Sequence, residues 1–370
     1  MNILHLISSG GFYGAERVVV ELAAYTRAQG HSVAVWVLES PGADAMMAAL
    51  GGRDVPAERI RVGRTGLAGV CRRLRRRVRE SGVEILHSHG YRTDVAAALG
   101  GAFSPVRRVA TCHTWYSTTA RLRFYEKVDK GVLRFFDRVV VVSPPLRREV
   151  EAAGIPGARV RLVENGTDFA AGGEARERAE ALREEYGLGR AGRLLLRVGR
   201  LDWEKGNRTL LEAFAAGFGG REAVLVFVGE GTERGDLEEM ALRLGIREQV
   251  VFAGYQREVS HFLLAADLFV ISSWKEGLPI ALLEAMALRK VVVATDVGAI
   301  GSVIADGENG CLVPPRDAEA LCRALRRVAD DAELAARLAQ GAWECYRRNH
   351  TLEAMGRRYL EVYRECLEER

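Results

Sequence analysis

Two carboxylates, Glu276 and Glu284, stand eight positions apart in a stretch that could bind both a sugar and an anion. This stretch follows the apolar run 268–271, which predicts a buried parallel strand, and it becomes a helix at Pro279. Glu276 in the loop could accept hydrogen bonds from sugar hydroxyls, and Glu284, about two helical turns away, could bind the vicinal diol of a ribose. Free N–H groups at the helix start favour an anion. The competing interpretation is a surface glutamate and a helix-capping acid.

The composition is typical of a globular protein with two domains. The chain has 370 residues, of which 48% are hydrophobic and 28% charged. No apolar run is long enough for a transmembrane helix, and the amino-terminal strand has no basic leader, so we expect no signal peptide. The cysteines form no CxxC pair, which suits a reducing cytosol and argues against zinc. They are Cys71, Cys112, Cys311, Cys322, Cys345 and Cys366.

The charges are distributed unevenly along the chain. Residues 1–165 contain 25 basic and 15 acidic side chains, whereas residues 166–370 contain 28 basic and 34 acidic ones. A basic half beside an acidic half indicates that the first half meets an anionic surface or substrate.

Strands and helices alternate in both halves, which predicts an α/β fold with two doubly wound parallel sheets. The predicted strands of the first half are 2–7, 31–39, 83–88, 108–112, 138–142 and 160–163, and its predicted helices are 15–29, 67–80 and 120–136. The predicted strands of the second half are 194–198, 223–228, 250–252, 268–271, 291–295 and 310–313. Residues 169–190 are interpreted as a linker with a short helix, and the domain boundary is placed near Asp168. Ligands of such sheets bind at the carboxyl ends of the strands, so two facing sheets would form a cleft.

The glycine loop after the first strand leaves a dinucleotide-binding fold open as an alternative. Ser9, Gly11 and Gly14 occupy the three fingerprint positions, so the first glycine of G-x-G-x-x-G is absent. Glu39, at the end of the second predicted strand, could serve as the ribose acid of an oxidoreductase.

Several motifs, taken in their order and spacing, resemble the retaining glycosyltransferases of family 4, which use nucleotide-sugar donors. In the second half they are Val198-Gly-Arg-Leu201 with Lys205-Gly206, Val228-Gly-Glu-Gly231, Phe252-Ala-Gly254, and Glu276-Gly-x-Pro279 with Glu284-Ala-Met286. In the first half they are Gly10-Gly11 with Gly14-Ala15-Glu16, His113 after a strand, and Asn165-Gly-Thr-Asp168. The resemblance implies the GT-B fold, with two facing Rossmann-like domains: an acceptor-binding domain over 1–168 and a donor-binding domain over 169–349. Residues 350–370 would form a helix that crosses back to the first domain.

The resemblance also implies roles for individual residues. His113, Arg200, Lys205 and Glu276 would be catalytic: the two cations hold the donor diphosphate, Glu276 binds the donor sugar, and His113 contacts that sugar near its reacting carbon. Fixed cations would stabilise the charge of the departing diphosphate. The donor-binding set would be Gly14, Gly229, Gly254, Tyr255, Gly277, Leu278, Pro279, Ile280 and Glu284, with Glu284 on the ribose. Glu16 and His89 are acceptor-side candidates, although a structural role for His87 and His89 is an equal alternative.

One position departs from the family pattern. The family often has Gly-Gly-x-x-Glu after the next strand, whereas this chain has Gly298-Ala-Ile-Gly-Ser302. A donor contact made by that acid is therefore in doubt.

The resemblance favours front-face displacement without a covalent nucleophile, so we expect no cofactor and no metal. The chain has no Asp-x-Asp motif to hold a divalent ion near a diphosphate. Alternatives within the same fold are a sugar-nucleotide epimerase and a sugar phosphorylase, and an inactive sugar-nucleotide-binding protein is a further one.

The expected partners are a nucleotide-sugar donor, with UDP favoured over GDP or ADP, and a glycan or lipid-linked acceptor. Six arginines between 72 and 79, and the segment 121–138 with Phe124, Tyr125, Phe135 and Phe136, suit docking on an anionic bilayer. We therefore expect a cytoplasmic protein, peripheral at the inner face of the membrane, that does not bind nucleic acid.

Overall fold

The computed structural model describes residues 1–8, 11, 14–63, 66–113, 115, 120–189 and 192–369. Four residues of the predicted glycine loop (9, 10, 12 and 13) and Thr114 lie outside this range. The chain divides into two compact units, one formed by Met1–Thr167 with Thr351–Arg370 and the other by Asp168–His350. Each unit is built on one parallel sheet.

The first unit contains a seven-stranded sheet in the order β3-β2-β1-β4-β5-β6-β7. The strands are β1 (Asn2–Ser8), β2 (Ser32–Leu38), β3 (Ala57–Ile60), β4 (Ile85–His89), β5 (Arg107–Cys112), β6 (Arg138–Val141) and β7 (Val160–Leu162). The helices between them are α1 (Gly14–Ala28), α2 (Ala43–Gly51), α3 (Gly66–Ser81), α4 (Tyr91–Gly100), α5 (Ala120–Val132) and α6 (Pro144–Ala152).

The second unit contains a six-stranded parallel sheet in the order β10-β9-β8-β11-β12-β13. Its strands are β8 (Arg193–Val198), β9 (Ala223–Val228), β10 (Val250–Gly254), β11 (Leu268–Ile271), β12 (Val291–Thr295) and β13 (Cys311–Val313). Its helices are α7 (Gly173–Glu185), α8 (Asn207–Phe218), α9 (Arg234–Arg243), α10 (Ser260–Ala265), α11 (Ile280–Ala287), α12 (Ile300–Val303), α13 (Ala318–Asp330) and α14 (Ala332–Asn349).

The last helix, α15 (Leu352–Glu368), belongs to the first unit. Tyr359 and Tyr363 of this helix are fully buried, and the Tyr359 hydroxyl lies 3.1 Å from Thr111 Oγ1 on β5. Near the end of the helix, Glu365 accepts a hydrogen bond of 2.8 Å from Arg161 on β7. The helix therefore covers part of one face of the first sheet.

The predicted fold class of two doubly wound parallel sheets is confirmed. Within residues 169–190, which were interpreted as a linker with a short helix, the structure has the helix α7 of 13 residues. Arg183 of this helix donates to Ala265 O and to Asp267, both at 2.9 Å, so the segment packs on the second unit. The predicted helix 120–136 ends as an α-helix at Val132 and continues as a 3-10 turn to Phe135. The helix expected from Pro279 begins at Ile280, with Pro279 as its N-cap. The sequence analysis also missed β3, α2, α4 and α6.

Two buried carboxylates join α4 to α5. Asp94 accepts a hydrogen bond from Ser88, and Asp129 accepts one of 3.0 Å from Trp115 Nε1. The two acids are close enough to perturb each other, and each is 1% exposed. Burial, with the second acid nearby, raises the pKa of Asp94 well above its usual value, and burial also raises the pKa of Asp129. The pair therefore holds a proton that the unfolded chain releases.

This proton makes the stability of the first unit depend on pH. Because the pKa of the pair is raised in the folded chain, the folded chain binds more protons than the unfolded chain above about pH 4. The free energy of unfolding therefore falls as pH rises, by about 1.4 kcal/mol per proton and pH unit. We expect Asp94→Asn, which remains neutral, to reduce this fall. The measurement is the free energy of unfolding in urea between pH 5 and pH 8.

The matched control is Glu80→Gln on α3, which removes a carboxylate that is 66% exposed. Glu80→Gln should keep the wild-type slope. If the free energy of unfolding falls with pH equally steeply in Asp94→Asn and in the wild type, the folded pair does not retain a proton.

Candidate active site

The strand order of the second sheet changes direction between β8 and β11. The loops that leave these two neighbouring strands diverge, and such a switch point is where ligands of doubly wound sheets bind. Arg200 and Lys205 follow β8, and Glu276 follows β11. The structure therefore places three of the predicted catalytic residues at the switch point of the second sheet.

Lys205 and Glu276 form an ion pair that joins the two loops. Lys205 Nζ lies 2.7 Å from Glu276 Oε1, and the two side chains are 14% and 9% exposed. Ser273 donates a second hydrogen bond of 2.8 Å to the same oxygen. Glu276 Oε2 has no partner among the residues that the structure describes, so this oxygen remains available to a ligand.

Backbone contacts hold the same loops together. Trp274 N donates to Glu204 O at 2.8 Å, and Ser272 Oγ donates to Lys205 O at 3.0 Å. Gly206 has a φ of 62°, and a Cβ at this position would lie 2.1 Å from Ser272 O. Gly298 has a φ of 58°, and its Cβ would lie 1.8 Å from Glu276 O. Only glycine allows these close approaches, which fix the backbone on both sides of the ion pair.

Arg200 is more exposed than Lys205 and binds acids of its own loop. Its side chain is 45% exposed; the guanidinium group is paired with Asp202 and donates a hydrogen bond of 2.7 Å to Glu204. Asp202 is held in turn by Thr232, whose N and Oγ1 both lie 3.1 Å from Oδ1. To bind a ligand, the guanidinium group of Arg200 must therefore leave its contacts with Asp202 and Glu204.

The sequence analysis missed a further cation near Glu276. Arg197 on β8 is 3% exposed, and its Nη2 donates to Ser273 Oγ at 3.4 Å, the same hydroxyl that donates to Glu276. Burial lowers the pKa of Arg197, and the charge of Glu276 opposes this shift. The available signal was a single arginine within the predicted apolar strand 194–198.

The predicted donor-binding residues other than Gly14 lie on the same edge of the second unit. Gly277 and Leu278 precede α11, Pro279 and Ile280 begin it, and Glu284 lies within it with 1% exposure. Gly229 follows β9, and its N donates to the O of Gly254 at 2.8 Å. Tyr255 is 62% exposed. The structure thus brings Gly229 and Gly254 into contact.

Ser302, at the position of the family's acid, is exposed on α12 and donates to Ala299 O at 2.7 Å. Ser302 therefore supplies no carboxylate in place of the family's acid.

In the first unit the strand order changes between β1 and β4. Gly14 and Glu16 lie in the first turn of α1, which follows β1, and Glu16 is 8% exposed. His89 ends β4, and His113 directly follows β5. All four predicted residues of this unit therefore lie at the carboxyl ends of neighbouring strands.

His89 and His113 belong to a hydrogen-bonded line of histidines. His89 Nδ1 lies 3.3 Å from His113 Nε2, and His89 Nε2 lies 3.1 Å from Nδ1 of His5, which the sequence analysis missed. Burial lowers the pKa of His5 to about 3 and that of His113 to about 4. Burial, with the neighbouring histidines, lowers the pKa of His89 well below its usual value. At pH 7 these rings are neutral.

His87 has a structural role, which the sequence analysis gave as the alternative to a place on the acceptor side. Its Nδ1 lies 2.7 Å from the Tyr363 hydroxyl, and its Nε2 lies 2.8 Å from Thr111 Oγ1. Ring nitrogens of His5, His87 and His89 lie within 4.8 Å of one another, and among the described residues no Asp, Glu or Cys joins the set. Both ring nitrogens of His87 already have hydrogen-bond partners, so these hydrogen bonds account for its place in the cluster.

Comparison with known proteins identifies the family. The model for glycosyl transferases group 1 matches residues 173–344, and the model for Glycosyltransferase Family 4 matches residues 12–171. The alpha-D-kanosaminyltransferase of Streptomyces kanamyceticus is 30% identical over 316 residues, which cover 81% of each chain. This chain belongs to family 4, group 1, of the glycosyltransferases. The predicted family and enzyme class are thereby confirmed, and the oxidoreductase alternative is wrong.

Other relatives agree with this assignment. The lipopolysaccharide core biosynthesis glycosyltransferase LpsE of Rhizobium meliloti is 36% identical over 169 residues, covering 46% of this glycosyltransferase and 49% of LpsE. The crystal structure of HepE from Anabaena in complex with UDP has a TM-score of 0.86 at 20% identity, covering 99% of this glycosyltransferase and 100% of HepE. At that identity the likeness shows the GT-B fold.

Proposed function

We propose that this glycosyltransferase transfers a sugar, with retention of configuration, from a UDP-sugar to a hydroxyl of a lipid-linked or cell-envelope glycan. The observation that carries the proposal is the Lys205–Glu276 ion pair at the switch point of the second sheet, with Arg200 on the same loop. UDP is favoured because HepE, which shares the fold, binds UDP. The acceptor class is favoured because LpsE acts in lipopolysaccharide core synthesis.

The second unit would bind the donor. Lys205 and Arg200 would neutralise the diphosphate, Glu276 would accept hydrogen bonds from sugar hydroxyls through its open Oε2, and Glu284 would bind the ribose. The N–H groups of Gly277, Leu278 and Ile280 would donate to the sugar and the phosphate at the start of α11. The loops of Gly229, Gly254 and Tyr255 would hold the base. Gly14 would also donate to phosphate, and His113 would contact the sugar near its reacting carbon.

The chemistry follows from the placement of charge. As the bond between the sugar and the β-phosphate breaks, negative charge grows on the phosphate, and fixed cations stabilise it without reorganisation. The acceptor hydroxyl attacks from the face that the phosphate leaves, and its proton passes to the departing phosphate oxygen. The two cations supply the charge that a metal supplies in other transferases, so we propose that turnover needs no metal.

The acceptor side is proposed for the first unit, where Glu16 and His89 lie. The six arginines of α3 between positions 72 and 79 are all exposed, and Phe124 and Phe135 are 63% and 65% exposed. Phe136, by contrast, is 1% exposed and packs in the core, and Arg138 is buried and paired with Glu369, so the expectation that these two dock on a bilayer is wrong. No helix among the described residues has the length and apolarity to cross a bilayer. We propose peripheral docking of the first unit on the inner face of the membrane.

Donor binding is tested by thermal unfolding of the whole chain with UDP, GDP and ADP. A ligand that binds only the folded form stabilises it, by about 2.7 kcal/mol at a hundred times its Kd. We expect UDP to raise the Tm more than GDP or ADP, and Glu284→Ala to remove most of the rise because the ribose diol loses its acceptor.

The control for this experiment is Glu212→Gln, which changes an exposed acid of α8 and should keep the full rise. The Tm without ligand shows whether each variant is folded. A UDP-induced rise of wild-type size in folded Glu284→Ala would remove Glu284 from the site.

Membrane docking is tested by flotation with vesicles containing phosphatidylserine. Each arginine near an anionic surface contributes about 1 kcal/mol, so we expect the triple substitution Arg72→Gln, Arg77→Gln and Arg79→Gln to lower vesicle affinity about 100-fold. Binding should also weaken as salt is added.

The matched control neutralises three exposed arginines of the second unit, Arg243, Arg323 and Arg337, and should leave vesicle binding unchanged. Equal losses in both triple variants, or binding of wild type that does not depend on salt, would contradict docking through α3.

A further inference from the structure

Three imidazoles of the first unit form a continuous hydrogen-bonded line. His5 Nδ1 lies 3.1 Å from His89 Nε2, and His89 Nδ1 lies 3.3 Å from His113 Nε2. A neutral imidazole carries one N–H and one lone pair. Because all three rings are neutral at pH 7, the direction of one hydrogen bond fixes the direction of the other.

The line has two possible directions. In the outward direction, His5 Nδ1–H donates to His89, His89 Nδ1–H donates to His113 Nε2, and His113 carries its proton on Nδ1. In the inward direction, His113 Nε2–H donates to His89, His89 Nε2–H donates to His5, and His5 carries its proton on Nε2.

The buried end of the line decides between them. His5 is fully buried, and its Nε2 has no hydrogen-bond partner within the part of the chain that the structure describes. The inward direction would place an N–H on this atom without an acceptor, whereas the outward direction leaves only an unused lone pair. Buried N–H groups without an acceptor are rarer in proteins than acceptors without a donor. The outward direction is therefore favoured.

We propose that His89 is a positioning residue whose Nδ1–H holds His113 in the tautomer with its proton on Nδ1. His113 is half-buried, and its Nδ1 has no partner among the residues that the structure describes, so this N–H is what His113 offers to a ligand. His113 then donates a hydrogen bond to a sugar oxygen and has no lone pair at Nδ1 with which to act as a base. The catalytic part of this inference rests on the proposed contact of His113 with the sugar.

The tautomer is measured directly by long-range ¹H–¹⁵N correlation spectra of the whole chain labelled at histidine nitrogens. In the wild type at pH 7 we expect His113 to be protonated on Nδ1. A wild-type spectrum with the His113 proton on Nε2 would overturn the inference, whatever the activity of the enzyme.

Three variants separate positioning from simple structural support. His89→Leu removes the donor, and we expect His113 to become a mixture of both tautomers. His89→Asn places an amide N–H near the position of the imidazole Nδ1, and we expect the wild-type tautomer to be restored. Tyr363→Phe is the matched control, since it removes the hydroxyl partner of neighbouring His87 and should leave the His113 tautomer unchanged. A wild-type tautomer in folded His89→Leu would also overturn the inference.

Turnover distinguishes this inference from the proposed function. In His89→Leu, kcat should fall in proportion to the fraction of His113 that remains in the Nδ1–H form, and His89→Asn should restore the wild-type kcat. If the spectra show the expected tautomers but kcat does not follow them, His89 still positions His113, and it is the proposed contact of His113 with the sugar that fails.

Discussion

The ion pair between Lys205 and Glu276 is the interaction on which the candidate site depends. It joins the loops after β8 and β11, at the one place in the second sheet where the strand order changes direction. Both side chains are largely buried, so removing either one leaves a charge without its partner and costs about 3–5 kcal/mol. Ser273 donates a hydrogen bond to the Glu276 carboxylate, and the buried cation Arg197 donates one to Ser273. Close approaches at Gly206 and Gly298 fix the backbone around the ion pair.

The two units present different chemistry at corresponding edges of their sheets. In the second unit the edge carries full charges, with Lys205, Glu276 and Arg200 following adjacent strands. In the first unit it carries Glu16 and the imidazoles of His5, His89 and His113, and burial lowers the pKa of each of these imidazoles from its usual value, so that they are neutral at pH 7. Charged groups suit a diphosphate that gains charge during reaction, whereas neutral donors and acceptors suit hydroxyl groups. This difference supports the proposal that the cations for the diphosphate lie in the second unit.

The sequence predicted the two sheets and the strands that bear the site, because alternating apolar runs and glycine loops are local signals. It did not predict that Lys205 binds Glu276, or that His5 reaches His89, because these contacts depend on strand order and on the register that aligns His5 with His87. His5 and Arg197 were still detectable in principle, since each is a polar residue within an apolar strand. Helix α7 was predicted only as a short helix within a linker, because its glycine and charged residues masked the few apolar positions that pack.

We propose that Lys205 belongs to the site for the β-phosphate of the donor. Isothermal titration of UDP and UMP measures it directly, because the two ligands differ only in that phosphate and neither needs an acceptor. The wild type should bind UDP more tightly than UMP, and Lys205→Ala should lose most of the difference while its affinity for UMP stays close to that of the wild type. A Lys205→Ala variant that still prefers UDP as strongly as the wild type would show that Lys205 lies outside the β-phosphate site.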